Sequence, residues 1–276
     1  MQLFILIVPP PMRTLCLLLR LIFVFPFYCH AQLHRDTKLL SLHLIAHDSL
    51  TIACDFDACR LRITPVEHGE DVESFLASNQ DADAAINGTF YDWDSKGDYV
   101  PVGLVINEGS LLWQSVVDIT SGRDSRRVEF AAKATREQEW YATFSVDVAG
   151  HPFIDAASSF YRAHAPTHFH DITCAVEAGP LLLHNGVVCD SQCFGHVGCG
   201  AALPRSAIGI TAMDRVVLFC SRAPLTCHQL AVRLREMGVI HAIYLDGGPS
   251  SAMSVKNAYL AIRGSMPVGT ILWIHN

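Results

Sequence analysis

The part of this 276-residue sequence best suited to chemistry is Asp246-Gly247-Gly248-Pro249-Ser250-Ser251. The aspartate follows Ile240 to Leu245, an apolar run that reads as a buried strand. A carboxylate at such a strand end stands where sheet proteins commonly build sites. Two glycines allow tight backbone geometry or close approach to a ligand. Ser250 and Ser251 add hydroxyl donors, and successive backbone amides can form an anion-binding concavity. Asp-Gly is equally at home in an ordinary turn, so the run alone does not decide between a site and a connection.

A second run, Asn87-Gly88-Thr89-Phe90-Tyr91-Asp92, closes the apolar stretch Ala84-Ala85-Ile86. Asn87 offers both a donor and an acceptor, Gly88 permits close approach, Phe90 and Tyr91 suit a sugar-stacking platform, and Asp92 adds a carboxylate. Taken alone it also reads as a hairpin turn with core aromatics. Glu177 stands beside Ala178-Gly179-Pro180, where the alternative is a surface glutamate before a turn. Arg205 lies in Pro204-Arg205-Ser206 at the mouth of another strand and suits bidentate phosphate contact; its usual fate is a solvated or salt-bridged arginine. Cys189, Cys193, His196 and Cys199 have zinc-compatible types, but their spacing matches no common finger, and a disulfide-pinned loop is the better reading. His164, His168, His170 and Asp171 form another cluster, read as a polar surface loop rather than a metal or phosphate face. No metal site and no cofactor is expected.

The elements that must position these groups are mostly short strands. Leu39 to Ala46 is one. Val102 to Ile106 and Leu111 to Val116 flank Asn107-Glu108-Gly109, a hairpin signal. Pro180 to Leu183 and Val187-Val188 flank His184-Asn185-Gly186, and Ser206 to Thr211 and Val216 to Cys220 flank a turn at Ala212-Met213-Asp214. Two helices are expected, Asp71 to Asn79 and Thr226 to Met237, the second with a capping threonine and with Gly238 at its C-terminal end. Each helix leads into an apolar run that ends in one of the first two motifs, so the two strand ends are expected to face one crevice. The fold class that follows is α+β: a mixed, largely antiparallel sheet with a few helices, in a single domain over 32–276.

In order along the chain, Asn87-Gly88-Thr89-Phe90-Tyr91, Pro101-Val102-Gly103, Gly179-Pro180-Leu181-Leu182, Pro204-Arg205-Ser206-Ala207-Ile208-Gly209 and Leu245 to Ser251 resemble the phosphodiester glycosidase family. The resemblance covers roughly residues 80 to 276. It departs from the family pattern at Pro249, where a third glycine is usual, at Thr89, where a second glycine is usual, and at Glu177, often glutamine in bacterial relatives. It implies hydrolysis of a sugar-1-phosphodiester between the anomeric carbon and the phosphate oxygen. Asp246, with Glu177, would then be catalytic, stabilising an oxocarbenium-like centre or activating water. Arg205, the Gly247-Gly248 backbone and Ser250 would bind phosphate. Asn87, Gly88, Thr89, Phe90, Tyr91, Asp92, Gly103 and Ser251 complete the implied substrate contacts. The alternatives are a glycan-binding module without turnover and a metal-dependent phosphodiesterase.

Bulk properties set the partner classes. The chain is 50% hydrophobic and 17% charged, with a net charge of −7, which disfavours a general nucleic-acid or anionic-membrane surface. The expected partner is a carbohydrate or glycan phosphodiester. Residues 1–31 read as a signal peptide: Arg13 and Arg20, the apolar run Leu21 to Tyr28, then Cys29-His30-Ala31 before Gln32. The run is too short to span a bilayer, so secretion or a periplasmic location is expected over an uncleaved anchor. Eight cysteines follow the signal, an even count that suits disulfides; Cys54 with Cys59 and Cys220 with Cys227 are the plausible local pairs.

Overall fold

The computed structural model describes residues 42–47, 50–114, 141–164, 169–189 and 198–276. The expected signal, Cys193, His168 and His196 lie outside them, as do residues 39–41 and 115–116 of two expected strands.

Three sheets share one core. The largest runs in the order His43–His47, Thr51–Asp57, Arg215–Leu225, Leu203–Thr211, Val239–Tyr244, Leu181–His184 and Val187–Val188. A five-stranded sheet contains Pro152–Ala156, Ala142–Asp147, Ile172–Ala178, Leu104–Asn107 and Ser110–Gln114. A second holds Leu260–Ile262, Met253–Val255, Ala82–Asn87, Val268–His275 and Leu61–Glu70. Ile63, Ile86, Phe144, Val176, Ile208, Leu218, Ile243 and Leu272, drawn from all three, pack into one buried cluster. Burial of this much apolar surface is the main term holding the sheets together.

Every described strand pairing is antiparallel. The expected largely antiparallel sheet is present without the mixed pairing, and the α+β class is corrected to a mainly β architecture because strands far outnumber helices among the described residues. The helix-linked strands arrive antiparallel to neighbours that come from distant parts of the chain, an arrangement local patterning does not encode.

The local signals do act. The Cys227–Glu236 helix starts at a capping box, with the Gln229 amide donating to Thr226 Oγ1 at 3.2 Å and the Thr226 amide to Gln229 Oε1 at 2.9 Å. Leu230, Ala231 and Leu234 bury its inner face against the outer side of the largest sheet. Gly238 follows it at φ +84°. The Val72–Ser78 helix is capped by Asp71, whose carboxylate accepts from the Glu73 and Ser74 amides. Glu108 and Gly109, and Asn185 and Gly186, take left-handed backbone in their two-residue hairpin turns.

Candidate functional site

The two strand ends meet. Ala82–Asn87 and Val239–Tyr244 belong to different sheets. The Asp246 amide donates to the Gly88 carbonyl at 3.0 Å, and Asn87 Nδ2 donates to the Asp246 carbonyl at 2.7 Å. Asn87 Oδ1 accepts from the Ser206 hydroxyl at 2.7 Å and the Ala252 amide at 3.1 Å. The Gly88 amide donates to Thr270. A Cβ on Gly88 would come within 2.8 Å of the Leu272 and Thr270 side chains, so only glycine allows this approach. Asn87 is fully buried and acts as the knot that fixes the Asp246 backbone.

The Asp246 carboxyl accepts from the Gly247 amide at 2.9 Å and from the Ser250 hydroxyl. Burial dominates these two stabilising bonds and pushes the Asp246 carboxyl up to about 6. Among the described residues no cation pairs with it. The Ser250 hydroxyl also reaches the Tyr91 phenol, so Asp246, Ser250 and Tyr91 form a chain leading outward.

Glu177, on the Ile172–Ala178 strand, comes to the same place. Its backbone carbonyl accepts from the Thr89 hydroxyl at 2.6 Å. Gly103, at φ +106°, lies so close that a Cβ there would be 2.9 Å from Glu177 Cβ. The buried Tyr141 phenol feels both acids: burial first, then Glu177 and Asp246, hold its proton on. Tyr141 packs edge-on against Phe90 at 6.2 Å between ring centroids, and Phe90 in turn meets Tyr244 at 6.1 Å. Asp246 and Glu177 thus converge on the Tyr141 phenol, and with the Phe90 and Tyr244 rings they outline the candidate pocket. Such a site can hold a sugar ring and present an ionisable acid to its anomeric carbon.

Residues 80–275 match a family model described as phosphodiester glycosidase. The chain belongs to that family, whose members are hydrolases of the glycosidase type. The fold agrees. The catalytic domain of zebrafish N-acetylglucosamine-1-phosphodiester alpha-N-acetylglucosaminidase, solved in a form auto-inhibited by its pro-peptide, superposes with a TM-score of 0.61 at 17% identity, covering 82% of this chain and 76% of that one. A hypothetical protein from Synechocystis gives 0.54 at 12% identity over 85% of this chain and 61% of its own. A putative exported protein from Burkholderia pseudomallei gives 0.51 at 16%, over 82% and 74%. None of the curated protein sequences compared with the chain matches it.

Within this glycosidase fold several expected contacts take a different place. Arg205 is 1% exposed, and its donors are committed: Nε to the Leu225 carbonyl at 2.8 Å, Nη1 to the Tyr244 hydroxyl at 2.8 Å, and Nη2 to the Gly198 and Ala201 carbonyls at 2.7 and 2.6 Å. The expectation that it grips phosphate is corrected. Its charge is stabilised by carbonyl dipoles behind the site, and it holds Tyr244 in place. A Cβ on Gly247 would fall 1.6 Å from the Tyr244 hydroxyl, so Arg205 sets the Asp246 loop through that phenol. The Gly247 amide, expected on phosphate, is taken by Asp246 itself. Thr89 is buried and spends its hydroxyl on the Glu177 and Val102 carbonyls, stitching two strands where the family usually has glycine. Ser251 is buried, and Asp92 accepts from the Trp93 amide on the neighbouring hairpin. Gly248, at φ +62°, and Pro249 open a short 3-10 turn, where the missing proline N–H would have had no helical partner.

The expected cysteine pairs are not made. Cys220 faces the central core, whereas Cys227 lies on the opposite side of the same sheet beside Cys199. The Cys227 amide donates to the Cys199 carbonyl at 2.9 Å, and the two thiols hydrogen-bond, which lowers the Cys199 thiol and raises that of Cys227. Cys54 is buried and Cys59 exposed, and the seven described cysteines are thiols. Cys189 and Cys199 are the described members of the zinc-compatible cluster. His164 packs on Phe160, whereas His170 pairs with Asp171 at 3.4 Å at the surface. Among the described residues no cluster of metal-ligating side chains forms, and no helix is long and apolar enough to cross a membrane. Tyr141 and Tyr244 had no signal in the sequence: each is an isolated aromatic until the sheets bring them to the two acids.

Proposed function

We propose that the chain is an exported hydrolase that cleaves the glycosyl C1–O–phosphate bond of a sugar-1-phosphodiester in a glycan or cell-surface polymer. The observation that carries this reading is the convergence of Asp246, its carboxyl raised by burial, and Glu177 on the Tyr141 phenol in a chain of the phosphodiester glycosidase family. Ionised Asp246 stabilises the oxocarbenium-like centre or activates the water that replaces the phosphate. A phosphodiester is a good leaving group, so one essential carboxylate suffices for bond breaking. Phe90, Tyr91, Gly248 and Ser250 contact the sugar; Asn87, Thr89, Gly103 and Arg205 hold those groups in position.

The test is a reaction in 18O-water with a UDP-sugar and an N-acetylglucosamine-1-phosphodiester analogue, using protein that begins at Gln32. Free sugar carrying the label, released together with the phosphomonoester, is expected, and the Asp246→Asn variant should abolish it. Label in the phosphate would place the cut between the bridging oxygen and phosphorus, and release of sugar-1-phosphate would place it on the aglycone side of the phosphate; either result overturns the assignment. Saccharide binding without turnover would make the chain a glycan-binding module.

A further inference from the structure

Tyr91–Trp93 and Tyr99–Pro101 form a two-stranded antiparallel hairpin beside the pocket. Alternation along a strand puts Tyr91 and Trp93 on one face, and the register sets Tyr99 opposite Trp93. The three rings pack together, with centroids 4.7 Å apart for Tyr91 and Tyr99, 5.5 Å for Tyr91 and Trp93, and 5.8 Å for Trp93 and Tyr99. Glycines seat them. A Cβ on Gly269 would meet Tyr91 Cβ at 2.9 Å, and one on Gly69 would meet the Tyr99 ring at 2.7 Å. Yet Trp93, at the outer end, is 51% exposed. A large aromatic held in place by two other rings and left half in water is a ready contact surface.

Two further observations select its occupant. The platform is continuous with the pocket, because Tyr91 reaches Ser250 and Ser250 reaches Asp246. Its rim is acidic: Asp92, Asp94 and Asp98 lie on the hairpin and its turn, with His68 bound to Asp98 at 3.0 Å and Lys96 the one hairpin cation. The Asp94 carboxylate is held by the Lys96 and Asp98 amides, so these charges are fixed in place. Such a rim repels phosphate and favours an uncharged ligand. The phosphate side of the substrate must therefore lie away from the hairpin, and the sugar side toward it.

We infer that Trp93, supported by Tyr91 and Tyr99, is a subsite for a second neutral pyranose, linked on the non-reducing side of the sugar whose C1 is cleaved. The substrate class is then an oligosaccharyl phosphodiester rather than a lone monosaccharyl one. The inference rests on the proposed cleavage reaction. Apolar C–H faces of the sugar stack on the indole, while its hydroxyls remain in water.

The experiment compares kcat/KM for a monosaccharyl and a matching disaccharyl phosphodiester in the wild type, Trp93→Ala and Trp93→Phe. The wild type should prefer the disaccharide, and Trp93→Ala should erase about tenfold of that preference, the size of one lost aromatic stack, with the monosaccharide rate unchanged. Trp93→Phe should restore part of it. Equal losses on both substrates, or no preference in the wild type, would overturn the subsite while leaving the cleavage reading intact. If neither compound is cleaved, the cleavage reading fails, and quenching of Trp fluorescence by neutral chitotetraose or maltotetraose still reports on the platform. Quenching that disappears in Trp93→Ala supports it, and no Trp93-dependent quenching with either sugar refutes it.

Discussion

Replacing Asp246 by asparagine should make the protein more stable at neutral pH while abolishing catalysis. The carboxyl titrates at about 6 in the folded chain instead of 3.8, because burial penalises the ionised form more than the Gly247 amide and the Ser250 hydroxyl help it. The folded state thus holds this proton more tightly than the unfolded state. The contribution of this one group to stability is most favourable below pH 3.8, declines as the pH rises toward 6, and stays at its least favourable above it. The distance from 3.8 to about 6, at roughly 1.4 kcal/mol per pH unit, is worth about 3 kcal/mol at pH 7. Asparagine keeps an acceptor for both donors and carries no charge to bury. Denaturation in guanidinium chloride at pH 7 should show the variant about 1–3 kcal/mol more stable, a rise of several degrees in Tm for a domain of this size. At pH 4 the wild-type carboxyl is protonated, and the gap should close. A variant that is less stable at pH 7, or a gap that ignores pH, would refute the argument that burial sets this group.

For the proposed reaction, which needs Asp246 ionised, turnover should fall tenfold per pH unit below about pH 6, with the inflection read from kcat/KM against pH. Arg205→Met should cost more than about 3 kcal/mol in denaturation, because it orphans carbonyls behind the pocket, and should not act as a selective KM defect against the phosphate. Gly103→Ala forces a side chain against Glu177 at a left-handed position, so a loss of about 1–3 kcal/mol together with a fall in kcat is expected. Peptide mapping after oxidation by glutathione disulfide should recover Cys199 joined to Cys227, and not Cys220 joined to Cys227, because the latter two lie on opposite sides of a sheet.

What the sequence reveals about this protein is local. Thr226, Gln229 and Gly238 announce a helix and its ends because caps act within a few residues. Asn107-Glu108-Gly109 announces a hairpin for the same reason. Asp246 and Asn87 stand out because each ends an apolar run. Their partnership is not written locally, since the hydrogen bond joining them spans 159 positions. Arg205 reads as solvated because a lone arginine at a strand mouth usually is; two of its four bonds go to carbonyls only 4 and 7 residues before it, and the other two go to Leu225 and Tyr244, which the completed sheet brings alongside. Tyr141 stayed invisible for a similar reason. The antiparallel order of strands from opposite parts of the chain sets the fold class, and periodicity does not reveal strand order.

The Asn87 knot has a kinetic consequence. Its three hydrogen bonds reach Ser206, Asp246 and Ala252, at sequence separations of 119 to 165 positions. Loop closures that long come at a high entropic cost before any contact rewards them, and such topologies fold slowly. The pocket cannot exist in any intermediate that lacks one of the two sheets meeting there. Regain of turnover on refolding is therefore a clock for the last event of assembly, running behind signals from the Cys227–Glu236 helix or the local hairpins.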